Sequence, residues 1–165
     1  MMFKTRIFRN NSFKDHRGYY WTSWKNKSIN KIKFNHDKFS LSRKNVLRGL
    51  HGDSKTWKLV SCPYGKCLLV VVNFIKDSRN YLKHKSWILS QKNGMQILIP
   101  PNYANGHLCL SEKCLFHYKL SYKGTYVDQK KQFSLRWNDP MLGINWRIKK
   151  PILSKRDKIT KLLQI

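Results

Sequence analysis

Lys58-Leu59-Val60-Ser61-Cys62, then Pro63-Tyr64-Gly65-Lys66, then Cys67-Leu68-Leu69-Val70-Val71-Val72-Asn73-Phe74 is the stretch that decides the fold class. Both flanks are short, apolar and rich in β-branched residues. Proline and glycine between them supply a turn, so the stretch reads as strand, turn, strand. The same grammar repeats downstream. Lys76-Asp77-Ser78-Arg79-Asn80 is a polar loop, Trp87-Ile88-Leu89 a strand and Gln91-Lys92-Asn93-Gly94 a turn. Gln96-Ile97-Leu98-Ile99 runs into Pro100-Pro101, and His107-Leu108-Cys109-Leu110 follows a glycine. Phe116, Tyr118 and Leu120 alternate with His117, Lys119 and Ser121. Phe133, Leu135 and Trp137 alternate with Ser134 and Arg136. Period-two patterning at short intervals predicts an all-β antiparallel sandwich or barrel, whose mouth is lined by alternating side chains. Only minor helical pieces are expected. One lies near residues 22–32. The other is at the C-terminus, where Ile159, Leu162 and Leu163 have i, i+3, i+4 spacing.

The chain of 165 residues suits one domain, expected over 1–165 with a tail from about 158. With 41% apolar residues it can bury a sizeable core. No apolar run approaches the length of about 18 residues that a membrane helix needs. Met1-Met2-Phe3-Lys4-Thr5-Arg6 leads into no apolar signal segment, so a cytoplasmic location is expected. The net charge of +26 first suggests nucleic acid. However, the excess comes from 25 Lys against 9 Arg and is scattered along the chain. Arginine forks are the usual readers of bases and phosphates, so a global composition bias is the better reading, and no specific nucleic-acid partner is expected. Cys62, Cys67, Cys109 and Cys114 form two C-x4-C pairs, a loose match to zinc spacing. Their apolar neighbours favour small buried strand residues instead.

Six histidines occur, and His51 is singled out by its company. Arg48-Gly49-Leu50 precedes it and Lys58 follows seven residues on. Arginine, histidine and lysine on adjoining strands make a basic pocket suited to an anionic intermediate. A carboxylate nearby would orient the imidazole. There is no His-x-His and no glutamate near His51, which argues against a metal-binding dioxygenase.

Several segments together carry a resemblance. They are Asn45-Val46-Leu47-Arg48-Gly49-Leu50-His51, Trp57-Lys58-Leu59-Val60, Ile99-Pro100-Pro101-Asn102-Tyr103-Ala104-Asn105-Gly106-His107 and Tyr118-Lys119. Trp137-Asn138-Asp139-Pro140, Gly143-Ile144-Asn145-Trp146 and Leu153-Ser154-Lys155-Arg156-Asp157 continue it, with Asp15-His16-Arg17-Gly18-Tyr19-Tyr20 upstream. In this order and spacing the chain resembles the dTDP-4-dehydrorhamnose 3,5-epimerase family over roughly residues 13–158. The resemblance implies a cupin-type jelly roll, a homodimer, and no metal or cofactor. It implies a nucleotide-diphosphate-linked 4-keto-6-deoxy sugar as substrate, serving cell-surface polysaccharide synthesis. By the same resemblance His51 is the base, Asp157 its partner, Lys58 the enolate stabiliser and Tyr118 the acid on the other face. Arg17 and Arg48 would hold the sugar or its diphosphate. Tyr20, Asn105, His107 and Tyr126 would complete the substrate site.

The chain departs from the family where Asn105 replaces a histidine, with His107 in an aromatic position and Thr22 where a glutamate is common. These changes touch sugar and base recognition, and they point toward relatives acting on GDP-linked 4-keto heptoses. Two alternatives stay open: a catalytically silent sugar-nucleotide-binding jelly roll, and a nucleotide-sugar 3,4-ketoisomerase on the same fold.

Overall fold

The computed structural model describes residues 4–25, 29 and 32–164. Two five-stranded antiparallel sheets face each other. The first has the order β1 (Arg6–Arg9), β9 (Met95–Ile99), β6 (Trp57–Tyr64), β11 (Lys113–Ser121), β4 (His36–Arg43). The second has the order β12 (Phe133–Ser134), β5 (Leu47–Gly52), β10 (Tyr103–Cys109), β7 (Lys66–Asn73), β8 (His84–Ser90). A separate hairpin pairs β2 (Ser12–Asp15) with β3 (Gly18–Trp21). This is the expected all-β, cupin-like sandwich.

The decisive stretch becomes β6 and β7, and the turn between them is tighter than the sequence suggests. Pro63 and Tyr64 stay in β6, so Gly65 alone turns the chain. The unbroken apolar run of β7 has a physical cause, because the strand is buried on both faces. Cys67, Leu69 and Val71 point between the sheets, against Val60, Ile97, Ile99 and Phe116. Leu68, Val70 and Val72 point the other way, under Leu135, Leu142 and Trp146 of the C-terminal segment. The four cysteines are free thiols within the inter-sheet core, one each from β6, β7, β10 and β11. Among the described residues no group of three or more His, Cys, Asp or Glu is arranged to hold a metal ion.

Neither helical expectation survives as drawn. Residues 22–25, 29 and 32 are not helical, and 26–28, 30 and 31 lie outside the described residues. The C-terminal helix α1 is Lys155–Ile159, one element earlier than the apolar spacing suggested. Ser154 decides this as N-cap, its Oγ accepting from the Asp157 N–H. Beyond Thr160 the chain runs non-helically, and the Leu163 N–H donates to Asp139 Oδ2 at 2.7 Å. Leu163 packs against the core along this path, while Leu162 stays exposed.

Strands β5 and β10 approach too closely for side chains at two positions. A Cβ on Gly49, whose φ is 109°, would lie 2.6 Å from the Asn105 carbonyl oxygen. A Cβ on Gly106 would lie 2.8 Å from the Arg48 carbonyl oxygen. This contact sets the positions of His51 and Asn105, which are Cα partners in the register. Gly49→Ala therefore meets both backbone strain and a backbone clash. It should lower stability by about 2–4 kcal/mol, read as a fall in urea midpoint at unchanged m-value.

Candidate active site

A cavity of about 510 Å³ opens where β5, β6, β10 and β11 converge, closed on one side by α1. His51, Lys58, Asn105, Tyr118, Arg48 and Asp157 line it. Strand pairing explains the gathering: the Cα of His51 pairs with those of Asn105 on one side and Ser134 on the other. Directly opposed residues share a face.

His51 Nε2 lies 2.9 Å from Asp157 Oδ1, and Nδ1 lies 3.0 Å from Ser134 Oγ. Asp157 is buried in the first turn of α1, and the Ser154 hydroxyl donates to its Oδ2 at 2.8 Å. Burial alone would raise the Asp157 pKa. The His51 contact, the Ser154 hydroxyl and the Gly49 N–H together hold it below the usual carboxylate value. Asp157 is thus poised to stabilise an imidazolium. Ser154 caps the helix and leaves the Asp157 carboxylate free for the ring.

Lys58 is 6% exposed, unlike the solvated lysine that so basic a chain makes the default. Its Nζ donates to Asn105 Oδ1 at 3.0 Å and to the His51 carbonyl at 3.4 Å. Burial pushes its pKa down to about 8, with Asp53 partly opposing. Tyr118, across the cavity on β11, is half-buried against the inter-sheet core. Burial drives its phenol pKa upward, while Arg48 and a hydrogen bond with Asn105 oppose the rise. Asn105 therefore touches both the ammonium and the phenol. Arg48 is held at the wall by Ser42 Oγ at 2.9 Å and the Leu41 carbonyl at 3.3 Å. Tyr126 also lines the cavity, with Lys38 Nζ 5.7 Å from its ring centre.

Three expected site residues fall elsewhere. Arg17 and Tyr20 sit on the β2–β3 hairpin, where Arg17 pairs with Asp15 and Tyr20 is 66% exposed. Neither lines the cavity of its own chain. Thr22 also lies away from it, in a groove beside Phe13 and Trp24. His107 shares the inner face with Asn105, as alternation requires, but it is sealed beneath the cavity. Its ring stacks on Phe116 with centroids 4.0 Å apart, and neither nitrogen has a hydrogen-bond partner. Burial, with Arg48 nearby, pushes its pKa down to about 3, so it is a neutral packing group.

Two cavity residues, Asp53 and Arg156, and one residue behind His51, Ser134, went unread in the sequence. Asp53 accepts from the Lys55 and Thr56 N–H groups at 2.9 and 2.7 Å and lies near Lys58. Ser134 and Arg156 approach His51 from its far side. The sequence signal for Ser134 is its place in the alternation around Leu135, which does not say what its face meets.

A base with its carboxylate, a buried ammonium and a half-buried phenol around one cavity can take a proton from carbon, hold the resulting charge and return a proton. On a β-sandwich this defines an acid–base isomerase. Comparison with known proteins makes the class specific. The chain belongs to the dTDP-4-dehydrorhamnose 3,5-epimerase family, whose model matches residues 3–164. It is an epimerase. The dTDP-4-dehydrorhamnose 3,5-epimerase of Salmonella typhimurium is 35% identical over 160 residues, covering 92% of this chain and 86% of that protein. That of Escherichia coli is 34% identical over 155 residues, covering 88% and 82%. Among solved structures, the Legionella pneumophila dTDP-6-deoxy-D-glucose-3,5-epimerase in complex with dTDP-4-keto-L-rhamnose aligns with a TM-score of 0.87. It is 33% identical, covering 96% of this chain and 87% of its own. The Bacillus anthracis enzyme with TDP and pyrophosphate bound aligns at 0.89 with 29% identity, covering 97% and 94%.

Proposed function

We propose that the protein inverts C3, C5 or both in a 4-keto-6-deoxy sugar carried on dTDP, on the route to cell-surface polysaccharide. The observation that carries this is the His51–Asp157 contact at 2.9 Å in the cavity that also holds Lys58 and Tyr118. The C4 ketone acidifies the protons on its neighbouring carbons. Neutral His51 takes one, and Asp157 stabilises the imidazolium formed. Negative charge moves to O4, where the Lys58 ammonium meets it in a water-poor wall. Tyr118, on a different strand from His51, returns a proton to the opposite face and inverts the centre. Arg48 and Tyr126 are assigned to sugar and diphosphate.

The reading includes a homodimer. A two-stranded hairpin is at best marginally stable alone, yet Phe13 and Tyr20 on the β2–β3 hairpin are 61% and 66% exposed. A second copy that covered this hairpin would bury both rings and bring Arg17 and Tyr20 to its own cavity. A monomer in sedimentation velocity at micromolar concentration would remove this part of the reading. Four buried free thiols suit the cytoplasm, where disulfides are disfavoured.

The test is a panel of dTDP-, GDP- and CDP-linked 4-keto-6-deoxy sugars incubated in D2O. Deuterium should enter at C3 or C5 of the dTDP sugar. No exchange with any member would sink the assignment. The Asn105 replacement favours one second reading, a GDP-linked 4-keto heptose, and preferential exchange there would select it. The pH profile follows from Lys58. The ammonium is the working form, and its pKa lies near 8. Above that value kcat/KM should fall by roughly tenfold per pH unit. A basic limb beyond pH 10 would remove Lys58 from the oxyanion role.

A further inference from the structure

The structure assigns Ser134 and Arg156 as positioning residues that fix which nitrogen of His51 takes the proton. The inference rests on His51 being the base and names the basic atom as Nδ1. A guanidinium can only donate. Arg156 Nη2 lies 2.8 Å from Ser134 Oγ, so that oxygen accepts from it. The hydroxyl hydrogen of Ser134 is then free to point at His51 Nδ1, 3.0 Å away. At the other end of the ring, an ionised Asp157 can only accept. Nε2, at 2.9 Å from Oδ1, is then the nitrogen that carries the hydrogen, although Oδ1 completes no hydrogen bond in this geometry. The neutral ring is left with its lone pair on Nδ1, facing the Ser134 hydroxyl.

Two features show that this arrangement is built into the fold. Ser134 pairs with His51 in the β12–β5 register, so the hydroxyl and the imidazole meet as opposed residues. Arg156 and Asp157 are consecutive on α1, so one short helix grips the ring at both nitrogens. Arg156 is itself held by Gln132, through its carbonyl at 3.4 Å and its side-chain Oε1 at 3.5 Å. The hydroxyl serves both states of the base. It donates to Nδ1 when the ring is neutral. It can rotate and accept from Nδ1–H once a proton has been taken.

Removing the hydroxyl takes away the donor that singles out Nδ1 as the bare nitrogen of the ring. In Ser134→Ala the single tautomer should be lost, and kcat should fall by about three- to tenfold with KM little changed. Ser134→Thr should restore both. The probe is dTDP-4-keto-6-deoxyglucose. A second measurement needs no substrate: proton–nitrogen correlation spectra of the protein labelled with 15N-histidine. The unliganded enzyme should show His51 protonated at Nε2 and bare at Nδ1, and Ser134→Ala should show a mixture of tautomers. A bare Nε2 in the unmodified protein overturns the proposal. So does a Ser134→Ala variant that leaves both the tautomer and kcat unchanged. If no nucleotide sugar exchanges deuterium, the assignment of function falls, and the spectra still decide the tautomer.

Discussion

His51→Asn should reduce deuterium exchange into the 4-keto sugar by about 10²–10⁴-fold, the range that a positioned general base contributes. Asparagine can still offer an N–H to Asp157 Oδ1, which lies 2.9 Å from the imidazole. The buried carboxylate thus keeps a partner, and the variant should fold. KM should change little, because the ring acts on the proton and does not hold the nucleotide. Activity at the unmodified rate would show that another group is the base. His117 is the rival to exclude, since its Nε2 lies 2.7 Å from Asp37 Oδ1. That second histidine–carboxylate pair sits under Phe39 and lines no part of the cavity. His117→Asn should leave exchange intact.

Lys58→Met should inactivate and stabilise the protein together. Loss of the cation at O4 should lower kcat/KM by about 10²–10³-fold. The stability argument runs through linkage. The ammonium has a pKa of about 10.5 in the unfolded chain and about 8 in the fold. The folded state therefore binds fewer protons between those values, and stability rises with pH across that window. Below pH 8 the fold carries the full penalty of a buried charge, about 3 kcal/mol. Methionine removes the charge and fills similar space, but it leaves Asn105 Oδ1 and the His51 carbonyl without their donor. The net gain should be about 1–2 kcal/mol, or a Tm higher by about 2–8 °C. The rise in stability between pH 8 and 10 should also disappear. Full activity in this variant would end the oxyanion role of Lys58, and a lower Tm would show that the two lost hydrogen bonds outweigh the charge.

Much of this protein is written in local pattern. The run from Cys67 to Val72 could be read as a strand, because burial on both faces demands an apolar residue at every position. The alternation around Phe116 and Leu135 marked strands for the complementary reason. His51, Lys58 and Tyr118 could be picked out by their neighbours along the chain. Other matters lie beyond local pattern. The C-terminal leucines had helical spacing, yet Ser154 starts the helix early and the Leu163–Asp139 bond holds the tail extended. Arg17 and Tyr20 fit a family segment, yet their hairpin leaves its own chain's cavity.

The amino-acid order by itself determined the strands, the family and the chemical character of the base, because each depends on residue type and short spacing. Only the tertiary structure decided that Asp157 reaches His51 across 106 positions of chain, that Lys58 is dry, and that His107 is sealed away. It also turned Ser134 inward, toward the imidazole. A polar residue in an alternating strand faces water only if that face is open. Here the register of β12 on β5 points the face at His51, and register is set by pairing between strands far apart in the chain.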